Sequence, residues 1–146
     1  MINNKKYLSY TIVILLLFLL ISIRFYEKIL FDDGLITFFQ HDYLTQTRPN
    51  ISFIKIIRID TLRFILNSAI SISLLITFFK QKNLGKFLIS FYLIALIINL
   101  IAFYIAWIYY STSHYIALFY IRRILIQPIW LFILFPALLY QKSTTK

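Results

Sequence analysis

Tyr115–Gln141, YIALFYIRRILIQPIWLFILFPALLYQ, is a long apolar stretch that carries two adjacent arginines, Arg122 and Arg123. It is long enough to cross the hydrocarbon core of a bilayer as one helix, which needs about 20 apolar residues. A single arginine at the centre of a bilayer costs at least about 2.5 kcal/mol. Two are tolerated if their guanidinium groups reach an interface, face protein or meet an anionic partner. The stretch therefore predicts a membrane-spanning helix whose two arginines need a stabilising environment or partner.

The composition of the whole chain is that of a membrane protein. Of its 146 residues, 61% are hydrophobic and 14% are charged, compared with about 45–50% and about 25% in soluble domains. The net charge is +10, but the basic residues flank apolar runs. That arrangement is typical of topology signals and lipid contacts, so we expect a membrane lipid as a partner and no nucleic acid. The absence of cysteine excludes disulfides, thiolate metal sites and a cysteine nucleophile.

Further apolar runs predict further membrane-spanning helices. The first run has a basic start and could be a cleaved signal peptide, but Ile21–Arg24 lacks a small-residue cleavage pattern, which favours an uncleaved anchor. The predicted fold is all-α, an integral membrane bundle of four transmembrane helices. We expect a single transmembrane domain over residues 1–146, with spans at about 7–23, 62–79, 87–110 and 115–140.

An amphipathic outer segment, residues 24–61, is expected between the first and second spans. It contains all five acidic residues, Glu27, Asp32, Asp33, Asp42 and Asp60. Asp32-Asp33-Gly34 predicts a turn. Leu35–Phe39 predicts a short interfacial helix that lies either on the membrane or on the other helices. In Ile51–Asp60 a polar residue recurs at every third position, which indicates an amphipathic helix.

The distribution of basic residues predicts the orientation. The N-terminal tail, the loop 80–86 and the C-terminal tail carry lysines and no acidic residue: Lys5, Lys6, Lys80, Lys82, Lys86, Lys142 and Lys146. The positive-inside rule places both termini in the cytoplasm. The outer segment and the turn 111–114 then face the other side of the membrane.

Several polar side chains are expected to meet at a similar depth below the outer surface. Arg122 and Arg123 lie about 10–12 Å along the fourth helix from its start. Arg123 shares a helix face with Gln127, four residues later, whereas Arg122 points about 100° away. The predicted polar centre consists of Arg122, Arg123, Gln127, Arg63 and Asn67, with Glu27 and either Asp32 or Asp60 as counter-charges.

Two roles remain open for Arg122 and Arg123. They could pair with carboxylates of the outer segment and fix it to the bundle. Alternatively, they could bind an anionic group: a lipid phosphate, a peptide carboxylate or an acidic residue of another membrane protein. Pro128 removes one backbone hydrogen bond and could kink the helix and open a cavity below the arginines, or serve packing alone. We expect Asn67, Asn99 and Gln127 to form hydrogen bonds between helices.

No catalytic set can be recognised in the sequence. The serines in the apolar helices have no histidine and acid in a triad-like arrangement, and no glycine-rich phosphate loop is present. The chain has two histidines, His41 and His114, and they are not spaced as the ligands of a metal site usually are. We therefore expect no enzymatic activity, no metal and no cofactor.

The motif LFYIRRILIQP at 118–128, followed by Pro136-Ala137 and Tyr140-Gln141, carries a family resemblance. It resembles the C-terminal signature of the exosortase F system-associated proteins, small multi-pass membrane proteins encoded beside a flavobacterial-type exosortase. RFYE at 24–27 with the following residues to Phe39, and RFILNS at 63–68, are also similar to that family. The resemblance extends from about Arg24 to Gln141. Asp33-Gly34 stands where the family leads us to expect aspartate and proline, and both pairs can turn a chain.

The resemblance implies a non-enzymatic accessory protein of the bacterial inner membrane that binds an exosortase or its sorting substrate. Exosortases need a cysteine, which this chain lacks, so it is not the sortase. The alternative is a protein that binds an anionic lipid or a lipid-linked carrier, or a small lipid headgroup transferase.

Overall fold

A computed structural model describes residues 2–32, 34–41, 50–109 and 115–144 of the chain, with side chains from Tyr7 onward. Within these ranges every regular element is an α-helix, which confirms the all-α prediction. Asp33, Asp42, His114 and the predicted turn 111–114 lie outside the described residues. The helices are α1 (Ile2–Phe25), α2 (Glu27–Leu30), α3 (Leu35–Gln40), α4 (Phe53–Phe79), α5 (Leu84–Tyr109), α6 (Tyr115–Ile126) and α7 (Ile129–Thr144).

The long helices have the length and composition of membrane spans. In the described part of the chain, α1 (from Tyr7), α4 and α5 are each long and apolar enough to cross a membrane. α6 and α7 meet this criterion only as a pair, and they are bent by 59° at the break between them. The fold is therefore a helical bundle with three such helices, or four if the bent pair counts as one span.

The central helix, α4, begins earlier than the span predicted at 62–79. It joins the predicted amphipathic stretch to that span, because no glycine or proline interrupts Phe53–Phe79. It packs against α1, α5, α6 and α7. One face carries a buried polar stripe in which residues recur every three or four positions: Asp60, Arg63, Asn67 and Ser71. This stripe places the polar side chains inside the protein, away from lipid.

The predicted single helix at 115–140 is broken at Gln127 and Pro128. Pro128 has no N–H to donate to the preceding turn, so α6 ends at Ile126 and α7 begins at Ile129. The Ile129 N–H instead donates to the Gln127 carbonyl at 2.8 Å, and the Leu131 N–H donates to the Pro128 carbonyl at 3.1 Å. The break lies one turn beyond the two arginines.

The outer segment is anchored to the bundle through α3. Leu35 and Phe38 are buried in an apolar cluster with residues of α4, α5 and α6: Ile56, Phe103, Ala106, Tyr115 and Leu118. The sequence left open whether this short helix lies on the membrane or on the other helices. The structure shows that α3 lies on the other helices. The preceding turn needs Gly34, whose φ is +76°, and a Cβ there would lie 2.7 Å from the Ile51 side chain.

Candidate functional site

The side chain of Arg122 forms a buried, two-point ion pair with Asp60. Its Nε donates to Asp60 Oδ2 at 3.1 Å, and its Nη2 donates to Asp60 Oδ1 at 3.2 Å. Arg122 is 3% exposed and Asp60 is fully buried. Along α6, Arg122 follows the buried Leu118 by one turn, so its side chain must point into the bundle. The pair fixes α6 to α4, because both charges would lose their partner if the helices separated.

Glu27 joins the end of α1 to the core of α4. Its Oε2 accepts one hydrogen bond from Arg24 Nη1 and another from Arg63 Nη2, each at 2.7 Å. The Arg63 guanidinium is almost completely buried and also lies 5.3 Å from the centre of the Phe31 ring. Its Nε and Nη1 find no hydrogen-bond partner in the described part of the protein. The ion pair between Glu27 and Arg63 thus attaches α2, the first turn after α1, to α4.

Arg123 faces away from these pairs. Its Nε donates to Gln127 Oε1 at 3.1 Å, four residues along the chain. The side chain is exposed, and no carboxylate of a described residue pairs with it. The two neighbouring arginines therefore have different surroundings. Arg122 is neutralised inside the fold, whereas Arg123 keeps its charge beside an uncharged amide.

Asn67 contacts the break between α6 and α7. Its Nδ2 donates to the Ile126 carbonyl at 2.9 Å, a carbonyl that the broken helix leaves without its usual partner. This is a hydrogen bond between helices, as predicted. The prediction was wrong for the other two amides, because the Asn99 Nδ2 donates to the Ala95 carbonyl of its own helix and Gln127 contacts Arg123.

Asp32 does not act as a counter-charge to these arginines. Its Oδ1 accepts a hydrogen bond from the Gly34 N–H at 3.2 Å, which stabilises the turn before α3. No ion pair among the described residues contains Asp32. Its position two residues before a glycine with positive φ explains this local role.

A cavity of about 240 Å³ lies where α1, α2, α3 and α6 meet. We call it the arginine cavity. Its polar lining consists of Arg24, Glu27, Gln40, Arg122, Arg123 and Gln127, and its apolar lining of Ile36, Phe39, Phe119 and Ile126. Arg63 and Asp60 are not in its lining but pair with residues that are.

Arg24 and Gln40 are absent from the polar centre expected from the sequence. Arg24 directly follows the first predicted span, and its spacing of three residues from Glu27 is the signal that allows an ion pair on one helical turn. Gln40 had no signal of its own, because it comes to the cavity only through the packing of α3 on α6.

The described residues of this region carry an excess of positive charge. Four arginines, Arg24, Arg63, Arg122 and Arg123, are accompanied by two carboxylates, Glu27 and Asp60. In the described part of the chain, no group of three or more histidine, aspartate and glutamate side chains could hold a metal ion. The chemistry that fits the arginine cavity is the binding of an anion through guanidinium and amide donors.

Comparisons with protein-family models, with curated proteins and with solved structures find no match for this chain. The geometry of the arginine cavity is therefore the basis for a binding role.

Proposed function

We propose that this chain is a non-enzymatic accessory protein of an exosortase-dependent sorting system in the bacterial inner membrane. In this proposal the arginine cavity receives an acidic group of the exosortase or of its sorting substrate. The observation that carries the binding role is the position of Arg123, an exposed cation without a carboxylate partner among the described residues, at a cavity already held in place by two ion-pair clusters. The assignment to a sorting system rests on the resemblance of the motif at 118–128.

The ion pairs support binding because they make the cavity rigid. Asp60–Arg122 holds α6 on α4, and Glu27 holds the end of α1 on α4. Arg123 is therefore presented from a fixed helix, so that the binding of an anion has to order its side chain but not the backbone. A guanidinium group can bind one carboxylate through two parallel hydrogen bonds, which gives orientation as well as affinity.

We place four spans in the membrane, with the bent pair α6–α7 as the fourth and both termini in the cytoplasm. The lysines at one end of the bundle support this orientation. The arginine cavity then lies toward the outer face, where α1 ends and α6 has just begun. A sorting substrate that has crossed the membrane would meet the protein on this side.

A second candidate function is the binding of an anionic lipid or lipid-linked carrier. The apolar side chains around the arginine cavity favour it, because Phe39, Phe119 and Ile126 could contact the hydrocarbon part of a lipid whose phosphate meets Arg123. A lipid headgroup transferase would need an acid, base or nucleophile in addition. The cavity offers Glu27 as its carboxylate, and the Oε2 of that carboxylate is already bound by two arginines.

An in-membrane crosslinking experiment tests the proposal. A photoreactive residue replaces Ile126, which lines the arginine cavity, in cells that also express an exosortase of the type that the resemblance implies. We expect a crosslink to the exosortase or its substrate, and we expect Arg123→Gln to remove it. The matched control replaces Phe132, an exposed residue of α7 outside the cavity lining, and gives no such product. A lipid adduct at Ile126 would favour the second candidate, and crosslinks only within the chain would contradict both.

A further inference from the structure

A second cavity, of about 220 Å³, lies between α1, α4 and α7 at the other end of the bundle. We call it the lysine cavity. Ser9, Tyr10, Thr77, Lys80 and Lys142 contribute its polar lining. On α1, Ser9 and Arg24 are about 22 Å apart along the helix axis, so the lysine and arginine cavities are separated by most of a bilayer core.

Lys80 is positioned by its place at the end of α4. It caps the helix in a left-handed conformation, with φ 53° and ψ 32°, and its N–H donates to the Ile76 carbonyl. Its side chain crosses to α1, where Nζ donates to Ser9 Oγ at 2.7 Å. This contact leaves the positive charge of Lys80 beside a neutral hydroxyl.

Lys142 approaches the same cavity from the last turns of α7. Its Nζ lies 5.9 Å from the centre of the Phe79 ring, within the range of a cation–π contact. This contact is also to a neutral group. Two ammonium groups from different helices are therefore held around one cavity by a hydroxyl and an aromatic ring.

The sequence provides no acidic side chain for this end of the protein. All five acidic residues lie between positions 27 and 60, and none occurs on α5, α6, α7 or on α4 after Asp60. α1 contains no acidic residue either. Among the described residues no carboxylate pairs with Lys80 or Lys142, so an anionic ligand can balance their charge.

We infer that the lysine cavity binds the phosphate of an anionic phospholipid. Lys80 and Lys142 contact the phosphate oxygens, and Tyr10, which also lines the cavity, supplies a hydroxyl donor for the headgroup. From the cavity, the exposed apolar face of α1 continues towards the middle of the membrane through Ile14 and Leu17, where the acyl chains would lie. The matching ligand is a lipid rather than free phosphate, because this apolar face adjoins the charged one.

The inferred lipid would attach α1 to the rest of the bundle. α1 packs on α4, but only 6% of its most apolar window is buried, compared with 50% for α4. A headgroup held between Ser9, Lys80 and Lys142 would add a contact from α1 to both α4 and α7. This inference does not depend on the arginine cavity or on the sorting function.

Native mass spectrometry of the purified full-length protein with added phosphatidylglycerol or phosphatidylcholine tests the inference. We expect retention of phosphatidylglycerol over phosphatidylcholine, and a loss in affinity of about fivefold for each of Lys80→Gln and Lys142→Gln, since a lysine at an anionic surface contributes about 1 kcal/mol. Lys142→Arg keeps the charge and should retain the lipid. The matched controls, Lys82→Gln and Lys86→Gln made singly, each remove one charge from the same end of the bundle outside the lysine cavity.

Losses in Lys80→Gln and Lys142→Gln no larger than those in the single-lysine controls would overturn the inference, because they would show a general effect of surface charge. Equal retention of the two lipids by the unmodified protein would overturn it as well. Thermal unfolding of the Lys142→Arg and Lys142→Gln proteins without added lipid should agree closely, so that a difference in lipid retention cannot come from misfolding.

Discussion

Asp60 and Arg122 show how far single side chains could be predicted from the sequence. The cost of an arginine in an apolar helix predicts that Arg122 has a counter-charge, and Asp60 was one of three candidates for it. The sequence could not select among Glu27, Asp32 and Asp60, because the choice depends on α4 continuing as a helix through Phe53–Asp60. That continuation places Asp60 three residues before Arg63 on the buried stripe of α4.

Removal of one charge from the buried pair should strongly destabilise the protein. We expect Asp60→Asn to lower the free energy of unfolding by about 3–5 kcal/mol, because the buried Arg122 loses its two-point ion pair with a carboxylate. Unfolding in mild detergent, followed by circular dichroism, measures this change. The double variant Asp60→Leu with Arg122→Met should recover most of the loss. An Asp60→Asn variant as stable as the unmodified protein would show that Arg122 does not depend on this carboxylate.

At the scale of the helices, the sequence predicted the break between α6 and α7 only in part. Pro128 predicts a kink, since it cannot donate a backbone hydrogen bond. The bend of 59° also needs a partner for the Ile126 carbonyl, which is Asn67 on α4. Pro136, in contrast, lies inside α7 without ending it. A proline alone therefore does not determine where a helix in this bundle ends, and the contact across to α4 could not be derived from sequence spacing.

The bend should depend on Pro128. We expect Pro128→Ala to restore a backbone hydrogen bond and reduce the angle between α6 and α7, which increases the distance between their far ends. Spin labels at Ile116 and Tyr140, both exposed, report this distance by pulsed electron paramagnetic resonance. Pro136→Ala is the matched control and should leave the distance unchanged. An unchanged distance in Pro128→Ala would show that other contacts set the bend.

The composition predicts the apolar helices of the assembled bundle, but it does not predict how these helices pack together. Runs of apolar residues are sufficient to indicate α1, α4 and α5, because the length and hydropathy of each are local properties. The attachment of α3 to the bundle depends on contacts such as Phe38 with Tyr115, which are distant in the sequence. The sequence indicated Arg122 and Arg123 as lining residues of the arginine cavity. It could not indicate Gln40, which reaches the cavity through the packing of α3.

The proposed orientation can be measured directly, because the chain contains no cysteine. We expect a cysteine in place of Ile29, an exposed residue near the arginine cavity, to react with a membrane-impermeant maleimide added to whole spheroplasts. A cysteine in place of Lys82 should react only after the membrane is opened. The reverse pattern would place the lysine-rich end outside and contradict the positive-inside assignment.

The division of roles between Arg122 and Arg123 is the central claim, and one paired measurement tests it most directly. The amount of folded protein in the membrane and the yield of the Ile126 photocrosslink are measured together in Arg122→Gln and in Arg123→Gln. We expect Arg122→Gln to lower the amount of folded protein several-fold, since the buried Asp60 loses its two-point ion pair with Arg122. We expect Arg123→Gln to keep the protein at its normal amount and to lose the crosslink. A normal crosslink yield per molecule in Arg123→Gln would contradict the binding role of the arginine cavity.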